Sequence, residues 1–385
     1  MKEDFYEQAK QMLSDKLYEV DEFYFENFPR LSAEFKINFK QACEVITELQ
    51  KDDKLGEFKY LQYAYKREDI LAKNYTTEVW AYGGLFYKDE VQVPTGHFFD
   101  ISVFFKFFEE LWNELLGLIK KYAWKIKSGE IKEFMSESVR KFFAYVIALG
   151  DDSILDCVDK DYFIEIKKQP RFEIYAGELG VGHKLPIHII YLEKDRDKLI
   201  EWFKTRDGYE YDHGDFRGLD FSNEDFTDIK FYYVDFRNAI LKNVNFRKAN
   251  LTGARFGGAN LEHAKFRVAH ISGTDFNGAN LQNADFGFSI AHEGLKEYRE
   301  NGAEWGGVGR FKVNFRNADL RGANFIGADI RSADFTGALM DGANFNRNWW
   351  DGRLNLTPEQ LSSVIFVDHE FCEFIKKEDA KTKVN

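Results

Sequence analysis

The sequence predicts a multi-domain chain. An α+β N-terminal domain precedes an all-β coiled solenoid, and a C-terminal capping helix closes it. Three features carry this. A large apolar residue recurs at every fifth position: Phe216, Phe221, Phe226, Phe231, Phe236, Leu241, Phe246, Leu251, Phe256, Leu261, Phe266, Ile271, Phe276, Leu281 and Phe286. A second series runs Phe315, Leu320, Phe325, Ile330, Phe335, Met340 and Phe345. Residues 1–205 show no such period. Neither a helix (period about 3.6) nor a strand (period about 2) calls for this spacing. A chain that turns a corner every five residues, with one side chain inward each time, does.

In the N-terminal domain, residues 1–205, apolar spacing predicts helices near 3–24, 31–51, 98–125, 130–149 and 193–206. Strand-like runs cover 58–65, 78–87, 162–166, 171–175 and 187–192. The 98–125 segment carries a broad stripe through Ile101, Phe104, Phe105, Phe108, Leu111, Trp112, Leu115, Leu118 and Tyr122, which marks it as the central helix. The 193–206 helix leads almost directly into the repeats, so the N-terminal domain is expected to cap the solenoid.

Two residues before most anchors sits a small residue, such as Ala239, Ala249, Ala254, Ala259, Ala318 and Ala323, and Asp or Asn usually follows, as in Ala279-Asn280-Leu281. The pattern A-(D/N)-(L/F)-x-x over roughly 214–348 resembles the pentapeptide-repeat family. That resemblance implies a right-handed quadrilateral β-helix with four pentapeptides per coil. Stacking residues 20 apart agrees with four sides. Phe216, Phe236, Phe256 and Phe276 fall in one column and Phe226, Phe246, Phe266 and Phe286 in another, while Phe221-Leu241-Leu261-Leu281 and Phe231-Leu251-Ile271 fill the remaining two. Phe315, Phe325, Phe335 and Phe345 extend the core, for about six coils and a tower on the order of 30 Å tall.

The repeat domain is assigned to 206–348, with an interruption at 287–302 read as a short helix or loop closed by Gly302. Trp305 then returns in phase, in the column of Phe325 and Phe345. A capping segment occupies 349–375: Thr357 N-caps a helix with Pro358 at its first position and Gln360 completing a capping box. The apolar run Val364-Ile365-Phe366-Val367 packs on the last coil or forms a homodimer contact. Residues 376–385 read as a disordered tail.

The net charge is −12, of which residues from 214 on carry only −2, with 22 Lys and Arg against 24 Asp and Glu. Cys43, Cys157 and Cys372 have no metal or redox spacing, and no segment is apolar enough to span a bilayer, so a cytoplasmic, bacterial protein is expected. Gly177 to Lys184 superficially resembles a phosphate loop, but Lys184 comes one place late and Leu185-Pro186 follows where a helix should start. It reads as a hairpin turn. His183 and His188 lack a third ligand, and Asp151, Asp152, Asp156, Asp159 and Asp161 read as solvated loop acids. No catalytic, cofactor or metal residue is assigned. Ladders such as Asp235, Arg255 and Asp275 read as solvated charges, and Arg247, Arg267, Lys242 and Lys248, with Tyr298 and Arg299 of the interruption, form the candidate interaction surface.

These features point to a non-enzymatic scaffold that presents a rigid tower to a protein partner, with no direct nucleic-acid binding, no membrane and no cofactor. The family resemblance adds an alternative, a DNA-mimic inhibitor of a type II topoisomerase (gyrase) protecting against quinolones or toxins. The third reading is an enzyme in residues 1–205 with the tower as a targeting rod.

Overall fold

From Phe5 to Ile46 an apolar stripe recurs every third or fourth residue through Ala9, Leu13, Leu17, Val20, Tyr24, Leu31, Phe35, Phe39 and Ala42, all buried. It keeps its phase across Pro29. In the computed structural model, which describes residues 2–83, 92–122, 125–180, 185–205, 211–291, 312–330, 333–346 and 356–367, this stripe forms one helix, α1 (Lys2–Lys51), with Pro29 inside. The two helices expected over 3–24 and 31–51 are therefore fused. Burial of ten or more side chains outweighs the roughly 3 kcal/mol that an internal proline costs.

The chain divides into two compact units between Leu192 and Glu193. In the first, β1 (Phe58–Tyr65), α2 (Arg67–Leu71), β2 (Thr76–Tyr82) and β3 (Gln92–Asp100) are followed by α3 (Ser102–Ile119), α4 (Ser128–Ile154), α5 (Asp161–Ile164), β4 (Lys168–Glu178) and β5 (Leu185–Tyr191). The five strands form one sheet in the order β3-β2-β1-β4-β5, with β1 and β4 parallel and the other neighbours antiparallel. Helices α1, α3 and α4 pack together, and their aromatic side chains share one core with Phe58, Tyr63, Val79, Phe172 and Ile174 of the sheet. Two expectations need correction. The helix expected from residue 98 begins at Ser102, because β3 takes up Gln92–Asp100 and the Asp100 carboxylate accepts from the Ser102 N–H at 2.8 Å. The run 162–166 is not a strand. It belongs to α5 and the turn after it, where the Lys168 ammonium donates to the carbonyls of Phe163, Ile164 and Ile166 at 2.6, 3.2 and 3.0 Å.

The second unit opens with α6 (Arg196–Lys204), N-capped by Asp195. From Asp215 onward the residue before each anchor pairs in parallel with the residue twenty positions later, as in Asp215↔Asp235, Asp220↔Ile240, Asp225↔Asn245 and Lys230↔Asn250. One coil is thus twenty residues, with four columns of anchors. The column of Phe216, Phe236, Phe256, Phe276, Phe315 and Phe335 stacks ring on ring through six coils, at centroid spacings of 5.7, 5.3, 5.2, 5.1 and 5.1 Å. The column of Phe226, Phe246, Phe266, Phe286, Phe325 and Phe345 does the same, and the two meet edge to face.

The interruption lies elsewhere than expected. Residues 287–291 belong to the coil: Ser289 is fully buried, Ile290 pairs with His270 and Asp329, and the Ala291 N–H donates to Asp329. Phe286 stacks directly on Phe325, 4.9 Å apart and 6° from parallel, so the two are successive members of that column. The chain leaves after Ala291 and is back in register at Asn314, which pairs with Asp275. The expected helix over 287–302 and Trp305 fall largely outside the described residues.

The last place of nearly every repeat has φ between about +55° and +75°, the left-handed region. Gly or Asn fills most of these places, as a turn with positive φ at its second central residue requires. The turn after Leu251 ends in Gly253, where φ is +69° and an added Cβ would lie 2.3 Å from the Tyr233 ring.

The two ends are finished differently. At the first coil Phe203 of α6 sits 5.0, 5.8, 5.6 and 5.1 Å from the rings of Phe216, Phe221, Phe226 and Phe231, and the Tyr211 hydroxyl donates to the Trp202 carbonyl. At the sixth, β6 (Asn344–Asn346) pairs in parallel with β7 (Ile365–Val367), a strand not anticipated from the apolar run. Between them α7 (Pro358–Ser363) carries the capping box of Thr357 and Gln360, and the Gln360 amide donates to the carbonyls of Phe335 and Ala338 at 2.8 and 3.0 Å.

Three outcomes follow from this packing. Gly253→Ala should lower the melting temperature more than Gly278→Ala. Both have positive φ, but Gly278 has nothing within 4 Å of its Cβ position, so equal effects in paired thermal melts would contradict the Tyr233 contact. Phe203→Ala should cost about 3–5 kcal/mol in denaturant unfolding of the repeat unit, as for a buried aromatic. The third outcome concerns Asp212. Burial pushes its carboxyl up to about 8, and Oδ1 has no hydrogen-bond partner. Its folded pKa lies above its unfolded one, so its contribution is complete below about pH 4 and is lost as pH rises towards 8. Asp212→Asn should remove that slope from a plot of unfolding free energy against pH, measured beside the unsubstituted chain.

Candidate interaction surface

In each repeat the residues one before, one after and two after the anchor point away from the core. Because coils stack at about 4.8 Å, these residues form vertical rows whose chemistry is fixed by residue type every twenty positions.

The row beside the Phe216 column is not the solvated ladder expected. Asp215, Asp235 and Arg255 are 1%, 0% and 4% exposed. Asp215 is bonded to Arg217 at 2.8 Å and to Lys194 at 2.9 Å, and Asp235 to Arg237 at 3.0 Å. The bridges Asp235↔Arg255 and Arg255↔Asp275 confirm the alternating order, and burial pushes the Asp275 carboxyl up despite Arg255 beside it. Buried charges held this way act as internal braces, since removing one partner would strand the other.

Beside the Phe221 column the charges pair or give way to amides. Lys242 reaches Glu262 at 2.8 Å, which holds the Glu262 carboxyl below its usual range. The Asn243 amide donates to Asn223 at 3.0 Å, one coil away. Lys242 is thus separated from the other basic candidates by its own ion pair.

Beside the Phe226 column the candidates do come together. Arg247 and Arg267 share a row one coil apart, and the Lys248 N–H donates to the Arg267 carbonyl at 3.0 Å. Lys248 and Lys265 are exposed. The Arg267 guanidinium lies 4.8 Å over the Phe288 ring. Tyr298 and Arg299 lie outside the described residues. Sequence reasoning missed Val268 and Phe288, which take the left-handed turn places with φ of 60° and 56°. The available signal was the departure from Gly or Asn at the fifth place of a repeat.

The first unit's candidates resolve into structural roles. Gly177 to Gly180 end β4 and start the turn to its antiparallel partner β5, while Val181 to Lys184 lie outside the described residues. His188 is buried in β5. The acids at the end of α4 and just beyond it are not simply solvated: Asp151, in its last turn, is buried, Asp152 accepts from the Tyr24 hydroxyl at 3.1 Å, and Asp156 pairs with Lys36. Cys43 and Cys157 are buried free thiols, and burial raises both thiol pKa values. Burial pulls the Lys168 ammonium down to about 8. On the sheet face that carries Tyr60, Tyr82 and Tyr175, Glu173 is buried against Arg171 at 3.1 Å and the Tyr175 hydroxyl. Among the described residues no three His, Cys, Asp or Glu side chains group as metal ligands, and no helix is long and apolar enough to cross a membrane.

The pentapeptide-repeat model matches residues 215–287, in overlapping segments, and 311–347. No curated protein matches the chain. Three solved structures illustrate the likeness. A pentapeptide repeat protein (Rfr23) from the cyanobacterium Cyanothece 51142 is 20% identical over 34% of this chain and 89% of its own, with a TM-score of 0.21. One from the thylakoid lumen of Arabidopsis thaliana is 29% identical over 37% and 72%, with a TM-score of 0.15. Full-length QnrB1, a plasmid-mediated fluoroquinolone resistance protein, is 15% identical over 44% and 88%, also with a TM-score of 0.15. The five-residue anchors and the twenty-residue pairing agree with this match: residues 215–287 and 311–347 carry pentapeptide repeats.

Proposed function

We propose that this chain is a non-enzymatic interaction protein of the cytoplasm. Its right-handed quadrilateral β-helix, capped at the last coil by α7, holds a rigid outer surface towards a protein partner. The observation that carries this reading is the display of outward residues in rows at fixed coil spacing on an interior filled by stacked Phe. Such a surface is preorganised, so little conformational freedom is lost when a partner docks. The groups with displaced pKa values in the first unit are tied to packing: Lys168 to three carbonyls and Tyr175 to Glu173.

The alternative, gyrase inhibition by DNA mimicry, requires an extended negative surface. The rows beside the third column run against it, with Arg247, Lys248, Lys265 and Arg267 in coils two and three. Chemical crosslinking of the full-length protein in cells of its source, followed by binding measurements with the purified partner, should give a saturable protein complex. Gyrase supercoiling should be unaffected at micromolar full-length protein. Inhibition there would put the topoisomerase reading first, and the absence of any saturable complex would sink the interaction reading.

A further inference from the structure

The fifth place of a repeat is a costly position for any residue but Gly or Asn. The chain respects this beside the Phe216 column, with Gly218, Asn238, Gly258, Gly278, Asn317 and Gly337. Beside the Phe226 column it does not. There coils two to four carry Lys248, Val268 and Phe288, with φ of 59°, 60° and 56°. A β-branched residue in the left-handed region is a genuine outlier, and strain of this kind persists where something else requires the side chain. Phe288 has one internal reason, since its ring lies where a Cβ on Gly327 would come within 2.5 Å. Neither Lys248 nor Val268 is buried: Lys248 is exposed and Val268 is partly exposed.

The charge pattern is independent of the strain and falls on the same place. The outward positions of coils two and three beside the third and fourth columns are Asn245, Arg247, Lys248, Asn250, Thr252 and Gly253, then Lys265, Arg267, Val268, His270, Ser272 and Gly273. These positions of the two coils hold four Lys or Arg and no carboxylate, on a chain whose net charge is −12; Asp285 of coil four is the next residue in the Lys265 row. Lys248 and Lys265 are exposed, and the Lys265 backbone pairs with Asp285 in the next coil. Arg267 is steadied over the Phe288 ring at 4.8 Å, which keeps its guanidinium beside an apolar surface.

We propose that this ridge, formed by Arg247, Lys248, Lys265, Arg267, Val268 and Phe288, docks an acidic peptide segment of a partner protein that also presents an apolar side chain. The proposal rests on the interaction reading above and names the face and the chemistry. The cations would meet the carboxylates, and Val268 and Phe288 would receive the apolar group. The patch spans only two to three coils, about 10–15 Å, and the acidic remainder of the chain repels a long polyanion, so a short peptide fits it better than a nucleic-acid duplex.

The test uses the full-length protein and fluorescence anisotropy at near-physiological salt. The probe is a fluorescein-labelled peptide of alternating Glu with Leu and Phe, compared with the same peptide carrying Lys for Glu and with a short DNA duplex. The Glu peptide should bind saturably and the Lys peptide should not. Lys248→Glu with Lys265→Glu should weaken binding by roughly tenfold. Val268→Gly should weaken it by roughly threefold while raising the melting temperature, because the strain is relieved as the contact is lost. A purely structural ridge would not lose binding in this way. No saturable binding of the Glu peptide, equal binding by the charge-reversed variant, or a duplex bound as tightly would overturn the proposal. The crosslinked partner separates the two readings. If the charge-reversed variant retains it with unchanged affinity, the ridge is wrong and the interaction reading stands; if the unsubstituted chain has no partner, both fall.

Discussion

The repeat unit depends on one backbone constraint, a left-handed residue every fifth position. That residue turns the chain so that the next anchor points inward, and four such turns bring the backbone back above its starting point. Only then can Phe216 pair through its N–H with the Asp235 carbonyl at 2.9 Å, and each later coil repeat the bond. The stacked rings are a consequence. Phe256 and Phe276 lie 5.2 Å apart and 10° from parallel because the backbone spacing between coils is close to the thickness of a ring and its contacts. Exterior chemistry is a consequence too, since a side chain's row is set by its residue number.

The same constraint explains how nineteen additional residues enter the tower without disturbing it. Partners across the interruption are separated by 39 positions instead of 20, as in Asp275↔Asn314 and Ile290↔Asp329. The chain has to leave and re-enter at the same corner, so that Phe315 can take the place above Phe276. Counting fives alone could not locate this corner. Trp305 is in phase with Phe325, but so is every fifth residue, and the sequence period does not reveal which coil a residue joins. Ser289-Ile290-Ala291 was passed over because its anchor is Ala, although burial of Ser289 and pairing of Ile290 make it an ordinary side of the coil.

Legibility in the first unit followed length of pattern. The stripe of α1 and the apolar run of β1 were readable, but the join across Pro29 was not, because local propensity and long-range packing disagree there and packing prevails. The strand β3 was hidden for the opposite reason. Gln92-Val93-Pro94-Thr95-Gly96 has poor strand propensity and is held in the sheet as an edge, where a proline's missing N–H costs no ladder bond. At the tower's start, α6 was legible as a helix, and a cap was expected there from the N-terminal domain, but the residue that plugs the coil was not. Four Phe rings at an uncovered coil end need an apolar plug, and Phe203 supplies it from a helix that the sequence groups just as readily with what precedes it.

The exterior shows a parallel division between what a row contains and what it does. The sequence reads Asp235-Arg255-Asp275 as a solvated ladder and Arg247-Arg267 as a candidate interaction face, both on the surface. Burial separates them. The first is enclosed, with Asp235 braced by Arg217 and Arg237, so its charges are committed to the fold. The second stands beside exposed Lys248 and Lys265 and beside turn residues that pay a conformational penalty for being there. Charge by itself does not distinguish a brace from a docking face, because either can be rich in Arg. Strain by itself does not either, since Tyr233 takes the left-handed place with its ring packed over Gly253; on the proposed docking face, charge and the side chain of Val268 act together.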